Sequence, residues 1–299
     1  MISICIPIYN FNVTKLVKAL SKQASLLKEP SEIILIDDCS KSSIKELNES
    51  VCANQVYIKL DNNIGRAAIR NRFIKYANFE NLLFLDCDSI IFSNDFLLNY
   101  IKEIKKDSYN IIYGGRIYSK VKPKRNKRLR WIYGWKRENK SYQKRKQNPN
   151  KSFMTNNFLI RKPIFEANQF DERLVNYGHE DTLFGFELKK KNIAINHIDN
   201  PVLNGGLDNN IDYINNTEKA VDNLVNMLEY VNYDKRFIED VELLRVYFKL
   251  YKFRKIILAL FLIFKPFIKY LLSAGFVNTY LFDFYKLGIL IVKMSNNKK

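Results

Sequence analysis

Apolar and polar positions alternate along the first third of the chain with two different periods. SICIPI (3–8), EIILIDD (32–38), VYIKLD (56–61) and LLFLDCD (82–88) are short, nearly continuous apolar runs. That is the pattern of strands buried on both faces. Between them, VTKLVKALSKQA (13–24), GRAAIRNRFIKYA (65–77) and FLLNYIKEIKK (96–106) carry apolar residues at helical spacing. Strand and helix in alternation predict an α/β fold, a mostly parallel sheet flanked by helices. Ligands of such sheets gather beyond the C-terminal strand ends, and the second and fourth runs end there in aspartates. FLIRKPIF (158–165) and KNIAINHID (191–199) resume the pattern, and from about Thr217 the chain reads as helical.

Two stretches depart from this alternation. SKVKPKRNKRLRWIYGWKRENKSYQKRKQNPNK (119–151) is strongly basic, with Trp131, Tyr133 and Trp135 among the charges. It is too polar for core and too long for an ordinary connection, which predicts a basic loop. Near the C-terminus, IILALFLIF (256–264) offers nine uninterrupted apolar residues before Lys265 and Pro266. A transmembrane helix needs about 20. The aromatic-rich side, opposite Arg254, Lys255, Lys265 and Lys269, predicts a helix lying on an anionic membrane surface. The alternative is a helical cap packed on the enzyme or on a second copy of the chain, giving a homo-oligomer.

Composition narrows the class of partner. The 299 residues hold 49 Lys and Arg against 31 Asp and Glu, a formal charge of +18. That excess favours anions: nucleic acid, an acidic membrane, or a phosphorylated small molecule. Cys5, Cys39, Cys52 and Cys87 form no CxxC pair, and the opening MISICIPIYN lacks a basic leader. Together these predict a reducing, cytoplasmic setting. No GxSxG, P-loop or GxGxxG is present, and with only two histidines no nucleophilic triad emerges.

Three motifs carry candidate chemistry. Asp86 and Asp88 stand two apart, on one side of a continuing strand, where they either cap a turn or face a hard divalent cation. Arg66 and Arg70, four apart, share a helix face after the Asn62–Gly65 turn. A cation in a first helical turn opposes the helix dipole, and a bound anion would reverse that penalty; a solvated basic face is the other reading. Glu180 and Asp181 follow a Gly turn and open a helix, either as capping acids or with one acting as a general base. His197, inside a strand, reads as structural.

In order, these pieces resemble glycosyltransferase family 2, inverting enzymes with a GT-A fold. SICIPIYN resembles the family's opening strand, IILIDDCS its Asp-Asp-x-Ser strand, and NNIGRAAIRNRFIKYA its Ala-Arg-Asn helix. FLDCDS resembles the Asp-x-Asp site and YGHEDTLFGFEL the Gly-x-Glu-Asp motif, all within about residues 1–205. The resemblance implies that Pro7, Tyr9 and Asp38 hold a uracil-type base, with Tyr9 stacking on it. Arg70 and Arg66 would face the ribose and diphosphate, and Asp86 the ribose or sugar. Asp88 would bind Mn²⁺ or Mg²⁺, Asp181 would deprotonate the acceptor, and Glu180 would orient it. Where relatives often carry a metal-binding His, this chain has Asn204, a weaker ligand for Mn²⁺.

The implied protein moves a sugar from a UDP-sugar to a glycan or lipid-linked saccharide, at the inner face of the cell membrane. Residues 1–115 would form the nucleotide-sugar half and 116–215 the acceptor half. Residues 216–299 would form a helical, membrane-associated extension. The basic loop would cover the donor, its aromatics against sugar faces and Arg130 or Lys136 against phosphate. Two other readings stand beside this one. The first is a basic nucleic-acid-binding protein, but no recognised motif gathers the charge, so no nucleic-acid partner is expected. The second is a homologue that binds donor without turnover.

Overall fold

The computed structural model describes residues 1–174 and 177–296, so Asn176, ahead of the YGHED motif, lies outside the described residues. The predicted alternation is present: β1 (Ile2–Ile8), α1 (Thr14–Ala24), β2 (Ser31–Asp37), α2 (Ser42–Val51), β3 (Val56–Lys59) and α3 (Gly65–Tyr76). It continues through β4 (Asn81–Leu85), β5 (Ser89–Ile90), α4 (Phe96–Lys106), β6 (Ile111–Tyr113) and β7 (Arg116–Ile117). Next come α5 (Arg128–Tyr133), α6 (Tyr142–Gln147), β8 (Asn157–Arg161), α7 (Lys162–Ala167), α8 (Glu180–Lys190), β9 (Ile195–His197) and β10 (Val202–Asn204). Helices α9 (Asn210–Tyr230), α10 (Lys235–Asp240), α11 (Glu242–Lys249), α12 (Arg254–Ser273) and α13 (Thr279–Asn296) complete it.

The main sheet has the order β3-β2-β1-β4-β8-β6-β9, and a small second sheet the order β5-β10-β7. Among the described residues, only β8 runs antiparallel to its neighbours in the main sheet. The chain winds outward from β1 to β3 and returns to β4, so the switch point lies between β1 and β4. Pairing of β1 with β4 stops at Cys5–Phe84, whereas pairing with β2 continues to Ile8–Asp37. Pro7 therefore lies past its last β4 partner, where a missing N–H costs no ladder bond on that side.

Period-two alternation fills both faces of this sheet. Ile2, Ile4, Ile6 and Ile8 meet Leu16 and Leu20 of α1 and Phe96 and Tyr100 of α4. On the other face Cys5, Ile34 and Phe84 meet Ala67, Ile69 and Phe73 of α3. Phe84 stacks on Phe158 at 4.9 Å, and Phe170 on Phe184 at 4.2 Å.

Two compact units divide the chain. The first holds Met1–Ser119, Asn139–Val175 and Phe184–Gly206, the second Lys120–Glu138, Asn176–Leu183 and Leu207–Lys299. In the second, Glu218 on α9 is bonded by Lys269 (3.0 Å) and the Tyr285 hydroxyl. Gly288 on α13 admits the Phe261 ring, because a Cβ there would land 2.2 Å from it.

Two expectations from the sequence are corrected. The basic segment 119–151 is not a loop: it folds into a turn at Arg125–Lys127, α5, a π-helical turn at Gly134–Glu138, and α6. Arg130 and Arg145 are buried with internal partners, while most of the other charges are exposed. Arg130 grips Glu138 through two bonds of 2.8 and 3.0 Å, so its guanidinium is already taken by a carboxylate. Tyr133, partly buried, packs against Tyr213 and Phe282 and accepts from Lys286. The second correction concerns Pro266, which lies inside α12 and does not end the apolar stretch. It sits on the exposed side of the helix, where a lost helical bond is open to solvent. The helical stretch Tyr251–Ser273 is thereby long and apolar enough to cross a membrane by length and composition.

Candidate active site

The first unit's site is assembled from strand ends. Asn10, with positive φ, follows β1; its side chain accepts from Lys41 N–H (2.9 Å), and its own N–H bonds Ser40 Oγ (2.7 Å). These reciprocal bonds tie PIYN to DDCS and leave Tyr9 55% exposed, an open aromatic face at the sheet edge. Asp37 is fully buried, accepting from Ser40 N–H and the Tyr57 hydroxyl. Asp38 accepts from the N–H groups of Ile64 (2.7 Å) and Gly65 (3.0 Å), capping α3. Burial pushes its carboxyl up, and those two bonds oppose the shift. This capping role was not legible in the sequence.

The Asp-x-Asp pair is not part of a continuing strand. β4 ends at Leu85, and Ser89 N–H closes a turn onto Asp86 O at 3.0 Å. In that turn Asp86 accepts from Arg70 Nη2 on Oδ1 (2.8 Å) and from Arg116 Nη2 on Oδ2 (3.0 Å). Burial would raise its carboxyl, but Arg70, Arg116 and Arg66 hold it below the usual carboxylate range. Arg70 is buried, its cation also 5.8 Å from the Phe170 ring centre, while Arg66 on the preceding turn is exposed. Cys87 packs against the core, and burial with the neighbouring Asp88 and Asp86 pushes its thiol up to about 12, so it is no nucleophile.

Asp88 lies 3.8 Å from Arg116 and is held by Gly205 N–H on its carbonyl (2.8 Å). A Cβ on Gly206 would land 2.5 Å from Asp88 Oδ2, so glycine there makes the space for this carboxylate. Asn204 is a buried neighbour: its Nδ2 donates to Gly206 O, while its Oδ1 has no hydrogen-bond partner. Ser89, its cross-strand partner, likewise has a buried hydroxyl without one. A buried carbonyl oxygen left unpaired costs about 1–3 kcal/mol, so it marks a place for a ligand. Carboxylate and amide oxygens are hard donors suited to Mg²⁺ or Mn²⁺, which take further oxygens from water and phosphate. Asp88 and Asn204 fit such an ion; among the described residues no cluster of three His, Cys, Asp or Glu offers an all-protein cage.

Sequence reasoning missed Arg116 and Arg145. Arg145, from the supposed loop, is 4% exposed. It donates to the carbonyls of Lys140 (2.9 Å), Gly114 (3.0 Å) and Ile198 (2.6 Å). A Cβ on Gly115, where φ is +103°, would land 2.6 Å from this guanidinium. Arg145 thus supports the Gly114–Gly115 turn that delivers Arg116 to Asp86. The only sequence signal was the Gly-Gly pair, a mark of close approach.

Arg145 Nε also donates to His197 Nδ1 (3.3 Å), and His197 Nε2 donates to Pro149 O (3.0 Å). Both ring nitrogens are engaged, so the residue is structural. Burial pushes its pKa down to about 4, Pro149 opposing and Arg145 and Lys146 adding. The unfolded imidazole binds a proton near pH 6.5, the folded one only at about 4, so stability falls as pH drops through that window. The expected loss is about 2 kcal/mol between pH 6.5 and 5, read as a falling urea midpoint that flattens in His197→Gln.

In the second unit, Gly178 (φ +97°) and His179 (φ +68°) turn the chain into α8. A Cβ on Gly178 would meet Ala220 at 2.7 Å, and Asn223 Nδ2 holds its carbonyl at 2.9 Å. Glu180 is buried, and Asp181 accepts from Thr182 N–H at 2.7 Å. The acids therefore occupy the helix's first turn, where its dipole favours them.

The family described as Glycosyl transferase family 2 matches residues 3–168. An uncharacterized glycosyltransferase of Rickettsia felis is 30% identical over 127 residues, 41% of this chain and 20% of that protein. The chain thus spans about a fifth of that relative's length. Among solved structures, the chain is similar to a mannosyltransferase from Pyrobaculum calidifontis in complex with GDP-Man and Mn²⁺. The TM-score is 0.52 at 12% identity, over 76% of this chain and 64% of that one. It is also similar to S. aureus TarS (1–349) in complex with UDP-GlcNAc, with TM-score 0.51 at 18% identity, over 75% and 66% of the two chains.

Proposed function

This chain belongs to glycosyl transferase family 2 and has its GT-A fold, and from that premise we propose an inverting, metal-dependent transfer. The sugar passes from a UDP-sugar to a hydroxyl of a glycan or lipid-linked saccharide in cell-surface polysaccharide synthesis. One observation carries the reading: Asp86 locked between Arg70 and Arg116, with Asp88 and the orphaned Asn204 Oδ1, at the sheet's switch point.

Tyr9 offers an exposed ring for the uracil, beside Pro7 and Asp38. Arg66, exposed at the start of α3, meets the diphosphate with the N-terminal dipole behind it. Asp86 holds Arg70 and Arg116 in place, so their charge faces the donor without moving when it binds. Asp88 and Asn204 would hold the cation. When bound, Mg²⁺ or Mn²⁺ neutralises charge on the departing diphosphate. Asp181 takes the acceptor's proton as its oxygen bonds the anomeric carbon, and Glu180 orients that hydroxyl. The anomeric C–O bond to phosphate breaks on the opposite face, UDP leaves, and an α-linked donor gives a β-linked product.

A panel of UDP-sugars, with GDP-mannose as a counter-donor, tests this by following donor hydrolysis with Mn²⁺ or Mg²⁺. Metal-dependent release of UDP from one UDP-sugar is expected, and Asp181→Asn lowers acceptor-dependent turnover about 10²–10⁴-fold without weakening UDP binding. Release of GDP alone would overturn the UDP assignment. UDP binding with no turnover would identify a donor-binding homologue instead.

A further inference from the structure

Helix α12 is built inside out for a helix in water. Ile256, Leu260, Ile263, Phe267 and Tyr270 recur at helical spacing along one side, and all are exposed, from 46% for Leu260 to 70% for Ile263. The opposite side carries buried Phe261, Ile268 and Leu272. On that packed side Lys269 reaches Glu218 on α9, and Lys265 lies near the Phe261 ring. Lys269 thus pairs on the packed side, while the hydrocarbon of the stripe points out.

An exposed apolar stripe of this length needs a cover. A second copy is a poor fit: positive charge flanks the stripe in a chain of formal charge +18, which favours an anionic surface over an equally basic partner. A transmembrane position is a poor fit too. α12 packs on α9 and α13, and Glu218, Asp222 and Lys293 would be carried into hydrocarbon with it. The stripe's ends match a lipid–water boundary. Phe253, Phe276 and Tyr280 are exposed there. Lys252 and Lys255 are exposed at the N-terminal end, and Arg125 lies over Phe276 at 4.3 Å.

We propose that the outer face of α12 seats in the plane of an anionic bilayer, with Lys252, Lys255 and Arg125 at the headgroups and Ile263 and Phe267 about 5–10 Å below them. The second unit's surface alone supports this, independently of the reaction proposed above.

The test is sedimentation of the full chain with two kinds of vesicle, in the absence of any donor. One is phosphatidylcholine alone; the other adds about 30 mol% phosphatidylglycerol, which gives the surface a negative potential. The chain is expected to pellet with the anionic vesicles and to bind more weakly as salt rises. Ile263→Lys with Phe267→Lys should weaken binding at least about tenfold with an unchanged melting temperature, since both side chains are exposed. Lys252→Glu with Lys255→Glu should remove the preference for anionic lipid. Equal binding by the apolar-face variant, or no binding to either vesicle, would overturn the proposal. A dimer in lipid-free solution that Ile263→Lys dissolves would overturn it too, assigning the stripe to a second copy. UDP binding is read separately, so failure here leaves the transfer reading untouched.

Discussion

Replacing Asp88 with alanine is expected to lower metal-dependent sugar transfer by about 10²–10³-fold, with no loss of fold. The carboxylate is partly exposed beside a turn and is not buried in core, so its removal opens no cavity. What is lost is the one acid of the pair that can turn to a cation, since Arg70 and Arg116 grip Asp86 at hydrogen-bond distance. Asp86 cannot replace it, because moving that group would strand two buried guanidinium ions. Asn204 alone offers a single neutral oxygen, too little charge to hold a divalent cation beside the cationic Arg116. The expected signature is a normal melting temperature, unaltered UDP affinity in chelator, and no gain in either on adding Mn²⁺.

Arg145→Met is expected to act on the fold, and through it on the site. It removes the donor for the Lys140, Gly114 and Ile198 carbonyls and for His197 Nδ1. Buried acceptors left bare cost about 1–3 kcal/mol each, so a total of about 3–5 kcal/mol is expected even after partial relaxation. In a domain of this size that lowers the melting temperature by about 10 °C. The loss of support at Gly114–Gly115 should also loosen Arg116 from Asp86. Below the melting range, donor affinity should therefore fall several-fold. Thermal denaturation and UDP titration of the same sample check both arms, and unchanged stability would contradict the role given to Arg145.

Much of the first unit was legible because its signals are local. A run such as LLFL or IILI has no stable home except a covered strand, and the helices between obey their own period. The family resemblance placed Asp86, Asp88 and the Asp38 turn in order, and the structure brings Arg70, Asp86 and Asp88 to one strand end. What stayed hidden depends on distant partners. Nothing local in KSYQKRKQ tells that Arg145 will be buried against residues 31 positions earlier and 52 later. Arg130 read as a phosphate contact because its partner Glu138 lies two turns away and shares its burial only after folding. Pro266 lies on the exposed side of α12, where the missing bond is open to solvent, so it does not break the helix as proline usually does. Arg116 was missed because a lone Arg after Gly-Gly has no periodic signature.

The central claim is that Asp88 and Asn204 make a divalent-cation site that serves a nucleotide diphosphate. Its most direct test is calorimetric titration of UDP into the wild-type chain and into Asp88→Ala, each in chelator and in Mn²⁺. Tighter binding with Mn²⁺ by at least about tenfold in the wild type, and no such gain in the variant, is the predicted result. A wild-type chain whose UDP affinity ignores Mn²⁺, or a variant that keeps the full gain, would contradict it.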